Sequence, residues 1–106
     1  MANDPASART RRRYERVTGP FDGLLADRVL VYDLNVGGCF VNSPQQSAEG
    51  TALVLKIDLL QEGWITVNAE TLYGLEHGFA VRFPALDSDT ESRIARTVAA
   101  AKIRRW

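Results

Sequence analysis

The sequence predicts a mainly β protein, a six-stranded antiparallel barrel followed by one C-terminal α-helix. Two patterns predict it. Between Phe21 and Phe83, short stretches in which apolar and polar residues alternate are separated by turns rich in Gly, Asn and Pro. Beyond Ser88 the apolar period lengthens to that of a helix. At 106 residues the chain has room for one domain of this kind and not for two.

Taken in order, residues 1–10 are small and polar, contain Pro5, and are expected to be a disordered tail. The single domain is expected over 11–106: an arginine-rich arm (11–17), a barrel (about 18–85) and a helix (about 88–103). Phe21–Arg28 reads weakly as a first strand, with Gly23 a candidate bulge. Arg28–Leu34 is a stronger strand, because Val29, Leu30, Val31 and Tyr32 suit a pleated, half-buried surface. Asn35-Val36-Gly37-Gly38 then turns the chain into Cys39–Asn42 as a tight hairpin, with the glycines free to take positive φ.

Ser43–Gly50 is polar and reads as a loop. In Thr51–Leu59, Leu53, Leu55 and Ile57 share one face, opposite Val54, Lys56 and Asp58. Glu62-Gly63 makes a turn. In Trp64–Tyr73, Ile65, Val67 and Ala69 oppose Thr66, Asn68 and Glu70, and in Phe79–Phe83 the residues Phe79, Val81 and Phe83 face inward. Ser88-Asp89-Thr90-Glu91 has capping-box spacing, and Ile94, Val98 and Ala101 then lie on one helical face, away from Arg93, Arg96 and Lys102.

Formal charge is zero, but its distribution is uneven. Five of the eleven arginines lie between Arg9 and Arg16, facing only Asp4 and Glu15; the remaining 90 residues carry eight Lys and Arg against eleven Asp and Glu. A basic arm therefore leads into a mildly acidic body, and such an arm calls for an anionic partner or for water. The longest apolar runs span four or five residues, so no membrane insertion is expected. The first residues lack the apolar core of a secretory signal, and Cys39 is the only cysteine, so a cytoplasmic location is expected.

With the arm in place, the turn at Asp33 gains meaning. A guanidinium forks onto phosphate oxygens or onto guanine O6 and N7 with two parallel bonds. An ionised Asp33 is an acceptor for guanine N1–H and N2–H. Glycines at 37 and 38 allow close approach to the backbone. Arm and turn together suit a ligand that carries both phosphates and guanines.

In these features the chain resembles the PilZ family of bacterial cyclic-di-GMP receptors, over roughly residues 11–103. The family's RxxxR arm is matched by Arg12-Arg13-Tyr14-Glu15-Arg16, followed by Val17, and its (D/N)xSxxG turn by Asp33-Leu34-Asn35-Val36-Gly37-Gly38. Gly74–Phe83 looks like the family's late glycine-containing strand ending in Phe. The resemblance implies a PilZ-type barrel and a cyclic-di-GMP site of Arg12, Arg16, Asp33, Asn35 and Gly38, with Arg11, Arg13 and Gly37 as further contacts. Asn35 departs from the pattern: it stands where the family usually has Ser, keeps a donor and an acceptor, and is longer by one heavy atom.

The expected function is a cyclic-di-GMP receptor or adaptor of second-messenger signalling, whose arm changes conformation on binding and which signals to a downstream protein that the sequence does not identify. The alternative is a PilZ-like interaction module of pilus or motility machinery that does not bind the nucleotide. Nucleic acid is not expected as a partner, because the body is acidic and the strands offer no evident aromatic stacking platform. No catalytic residue, metal site or cofactor is expected: His77, the single histidine, has no nucleophile or acid pattern around it. Cys39 reads as a small core residue, Trp64 as a packing or rim residue, and Tyr14 as a spacer or a neighbour of a bound base, while Trp106 has no assigned role.

Overall fold

The structure is a computed structural model that describes residues 17–104. Among the described residues the strands are β1 (Phe21–Leu24), β2 (Arg28–Asn35), β3 (Gly38–Asn42), β4 (Ala52–Asp58), β5 (Trp64–Leu75) and β6 (Gly78–Arg82), with a 3-10 turn at Leu60–Glu62 and a helix, α1 (Ser88–Arg104). They close into an antiparallel barrel in the order β1-β2-β3-β6-β5-β4. Pairing of Gly23 with Ile57 and of Leu24 with Lys56 seals the seam between β1 and β4. Among the described residues, closure leaves no long strand edge for a second chain to pair with.

Strict alternation builds the interior. Leu55 and Ile57 from β4, and Ile65, Val67 and Ala69 from β5, are buried together with Val31, Val41, Phe79 and Val81 from the opposite wall. Every sequence-assigned inward residue of β4, β5 and β6 faces the core, Leu53 being partly covered at the end of β4. Ile94 and Val98 of α1 join the same cluster, so the helix plugs one end of the barrel beside β2 and the 3-10 turn.

Two arginines fix that helix. The Arg93 guanidinium donates to the carbonyls of Glu62 and Trp64, and Arg96 donates to the Glu62 carboxylate at 3.0 Å. The Arg96 guanidinium holds the Glu62 carboxyl below its ordinary pKa. Arg93 thus works inside the fold, although helical spacing placed it off the apolar stripe. It reaches Glu62 and Trp64 by lying along the side of the cylinder.

Three local expectations are corrected. Gly23 carries no bulge; it pairs regularly with Val29 and Ile57, and a Cβ there would lie 3.0 Å from the Lys56 carbonyl oxygen. The helix is capped by Asp87 rather than by Ser88: its carboxylate accepts the Thr90 N–H at 2.7 Å and its carbonyl accepts the Glu91 N–H. A carboxylate in this position meets both the free amides and the positive helix end, where a hydroxyl meets the amides alone. Neither Gly37 nor Gly38 has positive φ.

Gly38 and Gly78 instead permit strand contact. A Cβ on Gly38 would stand 2.1 Å from the Val81 carbonyl oxygen, and one on Gly78 would stand 1.9 Å from that of Val41. They sit at the two ends of the β3–β6 ladder, Gly38 facing Arg82 and Gly78 facing Asn42. Gly38→Ala should therefore cost at least about 2 kcal/mol in urea unfolding, since backbone has to shift to admit the methyl group.

The hydrogen bond from the Thr90 N–H holds the Asp87 carboxyl below its ordinary pKa. A depressed carboxylate pKa stabilises the fold above the unfolded-state value, and the contribution is lost as pH falls through the folded-state value. Asp87→Ala should accordingly lower Tm at pH 7, and the gap from wild type should close as melting is followed to pH values below about 3.9.

Candidate functional site

At the end of β2 the chain departs from regular pairing. Tyr32 faces Phe40, but the next pair is Asn35 with Gly38, so β2 holds one residue more than β3. Asp33 takes φ 55°, a left-handed conformation that Asp tolerates better than most residues. Such a bulge bends the strand and re-aims its side chains. The Asp33 side chain is exposed, while its neighbour Leu34 is fully buried.

Incoming chain holds this conformation in place. Asp33 N–H donates to the Thr18 carbonyl, Leu34 N–H to that of Val17, and Val17 N–H to that of Leu34, each at 3.0 Å. Gly19 makes this approach possible: its φ is +96°, and a Cβ would stand 2.6 Å from the Val31 carbonyl oxygen. The segment that continues from the arginine arm thus lies directly alongside the bulge. Arg11, Arg12, Arg13 and Arg16, together with the tail at 1–10, Tyr14 and Trp106, lie outside the described residues.

The Asn35 side chain closes the hairpin. Its Oδ1 accepts the N–H of Gly37 at 2.6 Å and that of Gly38 at 3.2 Å. This is the local carboxamide turn that Asn forms well. Both bonds fall on the acceptor oxygen, so the Nδ2 amide keeps its two donors for other partners. Asp33 presents acceptors; Asn35 presents donors.

Asp33, Asn35, Gly37 and Gly38 line one open cleft of about 310 Å³, whose remaining wall comes from β3, β5 and β6 and includes Phe40, Leu72, Tyr73, Leu75 and Ala80. A larger cavity of about 410 Å³ lies at the other end of β2, between Leu25–Val29 and the Ser43–Ala48 loop, and contains none of the motif residues. Volume favours that cavity, but the convergence of acceptor, donors and bare backbone favours the smaller cleft.

A second irregularity shapes the far wall. Thr71 pairs with Val81 and Tyr73 with Ala80, so Leu72 is an extra residue on β5. Inward alternation ends there, and Leu72, Tyr73 and Leu75 are all exposed. Tyr32, Phe40, Ala80 and Tyr73 consequently fall in one register row across β2, β3, β6 and β5. The expectation that the strands lack an aromatic platform is corrected by this row. Tyr32 and Phe40 occupy positions that strand alternation assigns to the outer face, but Tyr73 reaches that face only through the extra residue at Leu72.

Cys39 borders the cleft with its side chain in the core, and burial, aided by the charge of Asp33, keeps the thiol protonated. Among the described residues no group of three His, Cys, Asp or Glu could hold a metal ion, and no helix is long and apolar enough to cross a membrane.

The PilZ domain family model matches residues 10–100, a span that includes arm, barrel and most of the helix. The chain belongs to the PilZ domain family. Solved structures agree on the fold. The PilZ domain of YcgR from Escherichia coli, determined with c-di-GMP, superposes with a TM-score of 0.73 at 20% identity, over 90% of this chain and 94% of that one. Escherichia coli YcgR in complex with c-di-GMP gives 0.74 at 23% identity, over 90% of this chain and 47% of that one. The Legionella protein Lpg0364 gives 0.59 at 15% identity, over 87% and 95%. No curated protein sequence matches this PilZ domain.

The double role of the Asn35 carboxamide can be separated by substitution. Asn35→Ala removes the acceptor for two backbone amides and should cost about 1 kcal/mol in chemical denaturation. Asn35→Asp, which keeps an oxygen in that place, should lie closer to wild type.

Proposed function

We propose that this PilZ domain binds cyclic-di-GMP in the cleft between the Asp33 bulge and β5. The observation that carries the reading is the pairing of Val17 and Thr18 with Leu34 and Asp33, because Arg16 is joined to Val17 by a single peptide bond. This pairing supports a site in which the arm that precedes Val17 meets the motif turn. Arg12 and Arg16 fork onto phosphate or the guanine O6/N7 edge, with Arg11 and Arg13 adding phosphate contacts. Asp33 receives guanine N1–H and N2–H. The Asn35 amide donates to a phosphate oxygen or to O6, and the turn backbone at Gly37 and Gly38 supplies the close wall.

This division of labour gives Asn35 a place in the site. Its oxygen serves the turn and its nitrogen serves the ligand, so a carboxamide does both tasks at the position where the family motif has Ser. Binding reaches the surface through Val17. That residue also lines a cavity of about 200 Å³ with Gly19, Leu59, Arg96, Thr97 and Ala100, between the entering segment and α1. Drawing the arm onto the ligand changes the packing at Val17 and with it the face shared with α1, which a downstream protein in the cytoplasm then reads.

Isothermal titration calorimetry with cyclic-di-GMP tests the reading. Wild type should bind, and Arg12→Ala, Arg16→Ala and Asp33→Ala should each weaken affinity roughly ten- to hundredfold, as loss of a charged hydrogen bond of about 1.5–3 kcal/mol requires. An absence of heat with wild type at high micromolar ligand would refute it.

A further inference from the structure

Phe40 and Tyr73 stand on strands that flank β6, in register with Ala80 between them. Neighbouring strands lie about 4.8 Å apart, so the two aromatic residues originate about 10 Å from each other. A planar ring held at van der Waals distance from two others needs about 7 Å between the outer pair. Between them Ala80 carries a single methyl group on the outer face and adds little bulk there, although neighbouring side chains cover it to 9% exposure. Tyr73, in contrast, is 55% exposed, a large apolar surface for a ring that strand alternation would have turned inward but for the extra residue at Leu72. The gap opens into the same cleft as Asp33 and Asn35.

We infer that Phe40, Ala80 and Tyr73 form a slot that takes one guanine base of the ligand between two aromatic faces, with Ala80 as its floor. The inference rests on the proposed function and adds to it the residues that grip the base. The rings supply stacking, which any base accepts. Selection of guanine falls to the polar rim, where Asp33 offers acceptors to N1–H and N2–H, and Asn35 offers a donor to O6. Stacking within the slot and hydrogen bonding at its edge engage different parts of the same base, so neither substitutes for the other.

The test is calorimetry with cyclic-di-GMP on wild type, Tyr73→Phe and Tyr73→Leu, each checked for an unchanged melting profile, together with the proton NMR shift of the guanine C8 proton. Exposed Tyr73 tolerates both substitutions without loss of core packing. Tyr73→Phe should bind within twofold of wild type and Tyr73→Leu about tenfold or more weakly. The C8 proton should move upfield on binding to wild type and Tyr73→Phe, and less with Tyr73→Leu. Wild-type binding with Tyr73→Leu unchanged in both readouts would overturn the slot and leave the proposed function standing. Equal losses in Tyr73→Phe and Tyr73→Leu would assign the effect to the hydroxyl and also overturn it. No binding by wild type would remove the function and the slot together.

Discussion

The backbone pairing of Val17 and Thr18 with Leu34 and Asp33 is the contact on which the candidate site depends. Its hydrogen bonds tie the segment that follows the arginines to the strand that carries the motif carboxylate. They also satisfy backbone groups of a strand end that continues past β1, whose own pairing with β2 begins at Phe21 and Val31. An irregular turn in this place would otherwise leave amide and carbonyl groups unpaired beside the fully buried Leu34. The same bonds therefore serve the fold and the site, and Gly19 is the residue whose missing side chain permits them.

Two single-residue insertions convert a regular barrel wall into the walls of the candidate cleft. One lies on β2 and the other on β5, with β3 and β6 running regularly between them. Strict alternation would have turned Tyr73 toward the interior and left Asp33 within an unbroken ladder. Each extra residue shifts the phase of its strand by one position, which exchanges inner and outer faces beyond it. The regular strands between them keep the spacing of the two walls fixed. This PilZ barrel thus combines a rigid floor with walls that are individually re-aimed.

The barrel itself was legible because strand alternation encodes burial directly: Leu55, Ile57, Ile65, Val67, Phe79 and Val81 all face inward as their spacing implies. The motif turn was legible as chemistry, though the duties of its residues were not. The Gly38 side chain is excluded by the Val81 carbonyl of a strand more than forty positions away, a neighbour that no local pattern reveals. The aromatic row was missed for a related reason. Tyr32, Phe40, Ala80 and Tyr73 are brought into line by three pairing registers, and two of those strands carry bulges whose positions the composition does not mark. Asp87 was overlooked beside a serine with good capping-box spacing, where one residue of shift decides which side chain meets the free amides.

Charge distribution adds a constraint that geometry alone does not supply. From residue 17 onward the chain carries three more acidic than basic groups, and Asp33 adds an exposed carboxylate at the cleft itself. By itself such a body repels a doubly anionic ligand, however well its turn and rings suit a guanine. The arm reverses the sign locally with five arginines in eight positions. Under the proposed function, recognition is divided between two parts: the barrel reads the base through stacking, Asp33 and Asn35, and the arm neutralises the phosphates. Neither part has both properties, so affinity requires the two to act on one ligand together. In that proposal, the free energy spent in bringing the arm onto the ligand is what makes binding a signal, because it couples occupancy of the cleft to the position of the chain at Val17.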